Sequence, residues 1–508
     1  MKRKANCTNG SVAVSPVGEY FNTPLQEDLP EGWESLKLRD ITERITKGST
    51  PTSYGYVYQS EGIKFIKAEN IDENGYVTSI NDFIDEETNE FLKRSILKVN
   101  DVLFSIAGTI GRVGIVRRVD LPANTNQALA IIRTVPGSID TKYLYYYLKS
   151  SEVQKFASKL TVGVGRANLS LTNVSEIEIP IALPDQQKLI VAEIEKQFSR
   201  LAEAVAALKR IQANLKRYKA SVLKAAVGGK LTEKWRKEHP VIKPASNLLK
   251  SILAERKKKW EEKHPGKKYK EPVAPDTSNL PELPEGWVWA IVEQINNANC
   301  PCAYGVLQPG PDVDKGVPLV RVGDINNGRI EISMLKKINT KIADNYPRTC
   351  LHGGEVLITL VGAIGRTAVV PKSLAGANTA RAVGVIPLTD LVNSQWVELW
   401  FRNPAKIVEM ASKAHEVARK TLNLEDVRVA TIALPPKTEQ GVIVAEVESF
   451  LSVAEEIEEA IKINLKRAER LRQAILKNAF SGRLITYDSN KKGPSCFEQK
   501  IIWENRYA

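Results

Sequence analysis

The chain has 508 residues, 43% hydrophobic and 26% charged, the make-up of an ordinary globular protein with material for several cores. A formal net charge of +13 points to a polyanionic partner or an acidic membrane face. No apolar run approaches the ~20 residues that cross a bilayer, and Cys7, Cys300, Cys302, Cys350 and Cys496 form neither a disulfide ladder nor a zinc pattern, so reduced thiols in a cytoplasmic protein without a metal are expected.

Residues 1–28 are polar and aperiodic and read as an arm; no apolar core follows the basic start, so a signal peptide is not expected. Over 29–185 the apolar runs Ile63–Ala68, Val102–Ala107, Val113–Val116 and Ala128–Ile132, separated by Asn, Asp and Gly, predict strands. Asp140–Lys149 predicts a helix capped near Ser138 or Asp140, and Ile177–Leu183 a last strand closed by Pro184. Over 186–232, Ile194, Leu201, Leu208, Leu215 and Val222 recur every seven residues with Phe198 and Val205 between them, a heptad seam that Gly228-Gly229 caps. Residues 233–282 read as a linker in which Leu248–Trp260 forms a short amphipathic helix before an extended tether. Its lysines read as a solvated face ahead of a DNA patch.

The chain then repeats itself. Leu29-Pro30-Glu31-Gly32-Trp33 returns as Leu283-Pro284-Glu285-Gly286-Trp287, an offset of 254 that also maps Val102-Leu103 on Val356-Leu357 and Ala123-Asn124-Thr125 on Ala377-Asn378-Thr379. Further on the offset is 253, as in Val191-Ala192-Glu193 and Val444-Ala445-Glu446; between these blocks little matches. A period this long is a duplicated domain, not a solenoid, whose units run roughly 20–50 residues. Residues 283–437 are therefore a second domain and 438–486 a second seam (Val447, Ala454, Ile461, Ala468 and Ile475, with Leu451 and Leu465 between), followed by a tail over 487–508. The expected fold is α/β (α+β), duplicated, each copy followed by a helix of about 40 residues, roughly 60 Å long. One seam per helix predicts that the two helices pack on each other, as an antiparallel coiled coil with pseudo-two-fold symmetry that puts the domains at opposite ends.

No catalytic constellation is visible. The four histidines (His239, His264, His352, His415) have no partner at ligand spacing, and there is no Walker loop, no G-x-S-x-G elbow and no Asn/Asp-Pro-Pro-aromatic motif of amino-methylating enzymes. Gly108-x-x-Gly111 and Gly362-x-x-Gly365 follow strands but lead into another strand, which argues against a Rossmann site. Recognition fits better. Arg112 and Arg366 follow these two turns and can fork onto phosphate or guanine, or act as surface or salt-bridge residues. Asn124, Asn126 and Gln127, with Asn378 and Arg381 in the second copy, can read base edges or serve ordinary turn chemistry. Lys47, Ser49 and Thr50 open the first copy on a flexible loop and Tyr304 the second; Lys67 with Asn70 pairs with Arg321 and Asp324, and Arg166 with Arg419 and Lys420.

The Leu-Pro-Glu-Gly-Trp openings, the closing Ile181-Ala182-Leu183-Pro184 and Ile432-Ala433-Leu434-Pro435 with Gln187 and Gln440 nearby, and the long helix after each resemble the specificity subunit of type I restriction–modification systems. So does the linker's Lys268-Tyr269-Lys270-Glu271-Pro272 ahead of the second opening; the resemblance covers about residues 29–485. It implies two target-recognition domains reading a bipartite asymmetric site on double-stranded DNA, and helical spacers that dock two methyltransferase subunits and, through them, restriction/translocase subunits. It also implies no cofactor in this chain, with S-adenosylmethionine, ATP and magnesium on partner subunits. A coiled-coil protein-binding adaptor and a self-sufficient DNA modification enzyme are the alternatives.

Overall fold

The computed structural model describes residues 29–160, 168–298, 300–416 and 420–485. They form two compact units, one running to Leu208 and resuming at Ile463, the other Lys209–Lys462. The unit boundaries thus fall inside the two seam helices instead of at their ends. The arm and all but the first of the seam-helix residues past 484 lie outside the described residues, as does the tail.

In the first unit four antiparallel strands lie in the spatial order Thr42–Lys47, Leu129–Thr134, Val102–Ser105, Val113–Ile115. Successive side chains of a strand point to opposite faces. Val102, Phe104, Ala130 and Ile132 accordingly enter one core, and Leu103, Leu129 and Ile131 another. With both faces covered, these strands read as unbroken apolar runs. Behind the second core, Ile63–Ile66 pairs antiparallel with Phe83–Ile84 and parallel with Ala123–Thr125. Glu34–Lys37 and Glu178–Ile181 close the domain as an antiparallel pair.

The expected helix is Thr141–Leu148, and Asp140 is its cap, accepting from the Lys142 and Tyr143 amides. Tyr143 and Tyr147 are buried, and their hydroxyls donate to the carbonyls of Pro180 (2.8 Å) and Glu178 (2.6 Å), which fastens the helix to the closing strand. Pro184 does not end the strand: the strand stops at Ile181 and Pro184 is the first residue of the long helix Pro184–Val227, where its missing N–H has no helical partner to lose.

The second unit is built alike. Val317–Val320, Val356–Thr359 and Thr367–Val369 lie 254 residues beyond their counterparts, whereas Thr431–Leu434 and the long helix Lys437–Phe480 lie 253 beyond theirs. The lost residue falls between the strand ending at Ile386 and the helix Ser394–Arg402. Here Trp396 and Trp400 replace the tyrosines, and their indole N–H groups donate to Ala433 (3.1 Å) and Thr431 (2.9 Å), the same two positions of the closing strand.

Within each unit the long helices run antiparallel. Ile190 and Ile194, at the start of the first, share a core with Ile475, Ala479 and Phe480, at the end of the second. In the other unit Val222, Leu223 and Ala226 pack with Ile443, Val444 and Val447. All fourteen seam residues are buried or half-buried. The first helix ends as its glycines foretell, with Gly229 at φ +67° and the Lys230 amide on the Ala225 carbonyl (2.9 Å). The linker helix is longer than expected, Ala245–Lys263, and follows a further short helix, Glu233–Glu238. No helix among the described residues is long and apolar enough to cross a membrane.

Lys149 follows the helix Thr141–Leu148 and donates to the Glu73 carbonyl (2.6 Å) and the Tyr145 hydroxyl (3.0 Å). Burial, reinforced by the Arg472 guanidinium, pushes its pKa down to about 8. The unfolded chain, with a lysine near the ordinary ~10.4, binds more protons above that value, so stability rises with pH between about 8 and 10. Lys149→Met should remove roughly 2 kcal/mol of that rise. Urea midpoints of the two proteins at several pH values measure it, and parallel curves would mean that the ammonium is solvated.

Candidate nucleic-acid interface

The register of the four-stranded sheet gathers distant segments at one end. Lys47 sits opposite Ala130 and Ser105 opposite Leu129, so the strands Thr42–Lys47 and Val102–Ser105 finish together where Leu129–Thr134 begins. Gly48 to Thr50, Asn126 to Ala128 and the Gly108–Arg112 turn all leave from that end. Chain returning after residue 167 arrives there too, with Ala107 bridging Asn168 and the Leu169 amide on the Ile106 carbonyl (2.8 Å). Ile66 pairs with Thr125, which brings the Lys67–Asn70 turn alongside.

Backbone contact locks this cluster. A Cβ on Gly48 would stand 1.7 Å from the Thr125 carbonyl oxygen, so only glycine lets the loop lie on that strand. The Gly48 amide donates to Asn126 (3.2 Å) and the Thr50 hydroxyl to the Gln127 side chain. The second unit repeats the arrangement: a Cβ on Gly305 would lie 2.1 Å from the Thr379 oxygen, and the Val306 amide donates to Thr379 (2.6 Å) while the Arg381 amide donates to Val306 (2.9 Å). The Leu422 amide meets the Leu360 carbonyl (2.8 Å), the counterpart of Leu169 on Ile106.

Several candidate readers turn inward here. The Gly108 and Gly111 turn, both residues at positive φ, is tied by Ser105, whose hydroxyl donates to the Thr109 carbonyl (2.6 Å) and accepts from the Arg112 amide (2.7 Å). The Arg112 guanidinium donates to the carbonyls of Ala68 (3.1 Å) and Ile71 (3.2 Å), and that of Arg366 to Ile325 (3.4 Å). Each thereby fastens its turn to the neighbouring segment. Asn124 and Asn378 are buried: Asn124 accepts from Ser95 (2.7 Å) and Asn378 from Thr349 (2.6 Å). Asn70 accepts from the Lys67 amide (2.8 Å) and donates to Ser79 (2.8 Å). Lys67 pairs with Asp82 (2.7 Å) over the Tyr58 ring, and Arg321 with the buried Asp324 (3.1 Å). Burial lowers the Lys67 pKa but the Asp82 carboxylate more than offsets it, and Asp324 raises that of Arg321, so both remain charged, Lys67 half-buried and Arg321 exposed.

Arg321 and Arg366 keep these bonds while remaining exposed, and the other outward-facing candidates form a short set. Lys47, Gln127, Arg381 and Lys420 are exposed, Ser49, Thr50 and Asn126 half-exposed, and Tyr304 is 44% exposed with its hydroxyl accepting from the Leu424 amide (2.8 Å). Arg166 and Arg419 lie outside the described residues. Tyr54, Tyr56 and Phe91 escaped the sequence reading: they form a ring cluster (5.2 and 5.1 Å between centroids) just beyond Thr50, and two tyrosines separated by Gly55 after a Gly-Ser-Thr-Pro loop were the available signal. Among the described residues no group of three or more His, Cys, Asp or Glu is placed to hold a metal ion. Burial raises the Cys302 thiol to about 11, far from a reactive thiolate.

Arg112→Ala should therefore lower stability by about 1–2 kcal/mol for the hydrogen bonds lost, and Arg366→Ala, at an exposed residue with one long bond, by less, neither changing the DNA sequence recognised. An altered recognition sequence with an unmoved unfolding midpoint would make these arginines base readers after all.

Two copies of one mixed α/β domain, each with a loop cluster at the end of its sheet and a long helix behind it, define a duplicated recognition protein. A family model, the type I restriction modification DNA specificity domain, matches residues 30–215 and 308–467. The chain is 31% identical over 366 residues to the type I restriction enzyme EcoBI specificity subunit of Escherichia coli, covering 72% of this chain and 70% of that one. It is 24% identical to the EcoKI specificity subunit of Escherichia coli strain K12, covering 90% of each. Among solved structures, a chain reported under complex assembly and conformational transition of the type I R-M system superposes with a TM-score of 0.64 at 17% identity, over 90% of this chain and 99% of that one. The HsdS subunit from Thermoanaerobacter tengcongensis gives 0.51 at 18% identity, over 90% and 98%. The chain belongs to the family of type I restriction–modification specificity subunits.

Proposed function

We propose that this chain is the non-catalytic reading subunit of its complex and recognises a bipartite, asymmetric site in double-stranded DNA, one half through each domain. The observation that carries this reading is the contrast between shared backbone and differing outward chemistry. The same glycine-locked cluster occurs twice, yet one presents Lys47, Thr50 and Gln127 and the other Tyr304, Arg381 and Lys420. Amide and guanidinium groups read different base edges, so the two halves of the site differ.

The long helices dock two methyltransferase subunits and, through them, the restriction/translocase subunits. Phe450, Val453 and Ile457 support this: spaced three and four apart on the second long helix, they form an apolar stripe left 37–54% exposed. S-adenosylmethionine, ATP and magnesium belong to those partners, and this chain binds none of them.

Mapping methylated adenines in cells that express the chain with its modification partner tests the reading. A split sequence with two unlike halves is expected. A continuous or palindromic site would overturn the bipartite assignment, and methyl transfer by the purified chain alone the non-catalytic one.

A further inference from the structure

We propose that one matched position, Gln127 in the first unit and Arg381 in the second, sets a base that each domain reads: Gln127 an adenine and Arg381 a guanine, both in the major groove. This deepens the DNA-reading assignment above and rests on it. Ala123–Ala128 and Ala377–Ala382 align without a gap and differ at two positions, Asn126 against Ala380 and Gln127 against Arg381. The shared residues are scaffold: Asn124, Thr125, Asn378 and Thr379 are all buried. The difference at Asn126 is absorbed locally, because its carboxamide accepts the Ala128 amide (3.0 Å). Only the other difference reaches the surface, where Gln127 and Arg381 are both exposed.

One backbone presents both residues. Each is the second residue of a tight turn, closed by the Leu129 amide on the Asn126 carbonyl (3.4 Å) and by the Val383 amide on the Ala380 carbonyl (2.8 Å). The residue after it is held from the neighbouring strand: the Ile106 amide donates to Ala128 (2.8 Å) and the Leu360 amide to Ala382 (2.8 Å). The residue before it is held from the opening loop, by the Gly48 amide on Asn126 in one unit and the Val306 bridge to Ala380 in the other. A side chain anchored on three sides meets a base edge without first ordering its loop. The two corners therefore differ in chemistry and not in placement. The Arg381 guanidinium has no partner among the described residues, which leaves its fork free for O6 and N7 of guanine. The Gln127 Oε1 accepts from the Thr50 hydroxyl, which fixes the direction of the carboxamide. Its second lone pair remains for the adenine amino group and Nε2 for N7.

The test uses the full chain assembled with its modification subunits, and duplexes in which each base pair of the mapped site is replaced in turn. Gln127→Arg should move the preference at one position from A·T to G·C, and Arg381→Gln should move one position of the other half from G·C to A·T. Each shift should be about 5–150-fold in relative affinity. Both variants install a residue that the matched turn already carries, so the fold accommodates them. Gln127→Ala should make the same position indifferent and leave the rest of the site as it was. Unchanged preferences overturn the proposal, as does a shift to any other base pair or a shift in both halves at once. Equal weakening on every duplex also overturns it, since that marks a phosphate contact. If the unsubstituted assembly shows no preference for a bipartite sequence, the DNA-reading assignment fails before either residue is changed.

Discussion

Glu439→Ala should destabilise the second unit by about 3–5 kcal/mol, the usual effect of breaking a buried charge pair from one side. Glu439 is fully buried and accepts from the Thr232 hydroxyl (2.6 Å), the Arg236 guanidinium (2.6 Å) and the Trp287 indole (2.9 Å). Truncation would orphan the indole N–H and leave Arg236 with the Gly229 carbonyl (2.7 Å) and the Thr232 hydroxyl as its remaining partners. The first unit shows the uncharged form of the same device: Gln186, the equivalent position, accepts from Trp33 (2.8 Å). Glu439→Gln should therefore keep the indole bond and lose only the charge, at about 1–2 kcal/mol. Two units need not unfold together, so amide exchange resolved by segment is the appropriate measurement. Protection should fall in residues 284–298 and 430–447 and persist around Trp33. Unchanged protection in Glu439→Ala would mean that the tryptophan is held by packing alone.

Exchange of residues 283–437 for the equivalent domain of a relative should replace one half of the recognised site and leave the other intact. Affinity for the original sequence should fall towards the non-specific level, by about 10³-fold or more. The expectation follows from the cores: Val356, Ile358, Trp396 and Ile432 pack in one cluster, while Val102, Phe104, Tyr143 and Ile179 pack in another. The donor must keep a tryptophan for Glu439 and apolar residues facing Val222, Leu223 and Val444, or the exchange loses its foundation. Methylation mapping of the chimera decides the outcome. Two altered halves would show that the readings are coupled.

Much of this architecture is legible in order along the chain because it rests on periodicity. The apolar run from Val102 and the sevenfold spacing from Ile194 to Val222 are local patterns, and each appears in the structure within a few residues of where it was expected. The recurring Leu-Pro-Glu-Gly-Trp is equally visible, but its purpose is not. The tryptophan reaches 153 residues along the chain to Gln186, and only the fold brings the two together. Gln187 and Gln440 were likewise visible as a repeated residue, while their task, accepting the Asp140 and Asn393 amides (2.8 and 2.9 Å), was not.

By itself, then, the sequence determined the duplication, the two seams and the absence of a recognisable catalytic motif, because these depend on residue spacing and residue type. Tertiary structure alone decided which polar groups are tied into the fold and which face outward. Arg112 looked like a reader until the fold placed the carbonyls of Ala68 and Ile71 against its guanidinium. Tyr143 and Trp396 are unlike letters, and only the fold shows that both donate to the closing strand at matched positions. A hydrogen bond is set by where its donor and acceptor meet in space, and that meeting is made by residues far away in the chain.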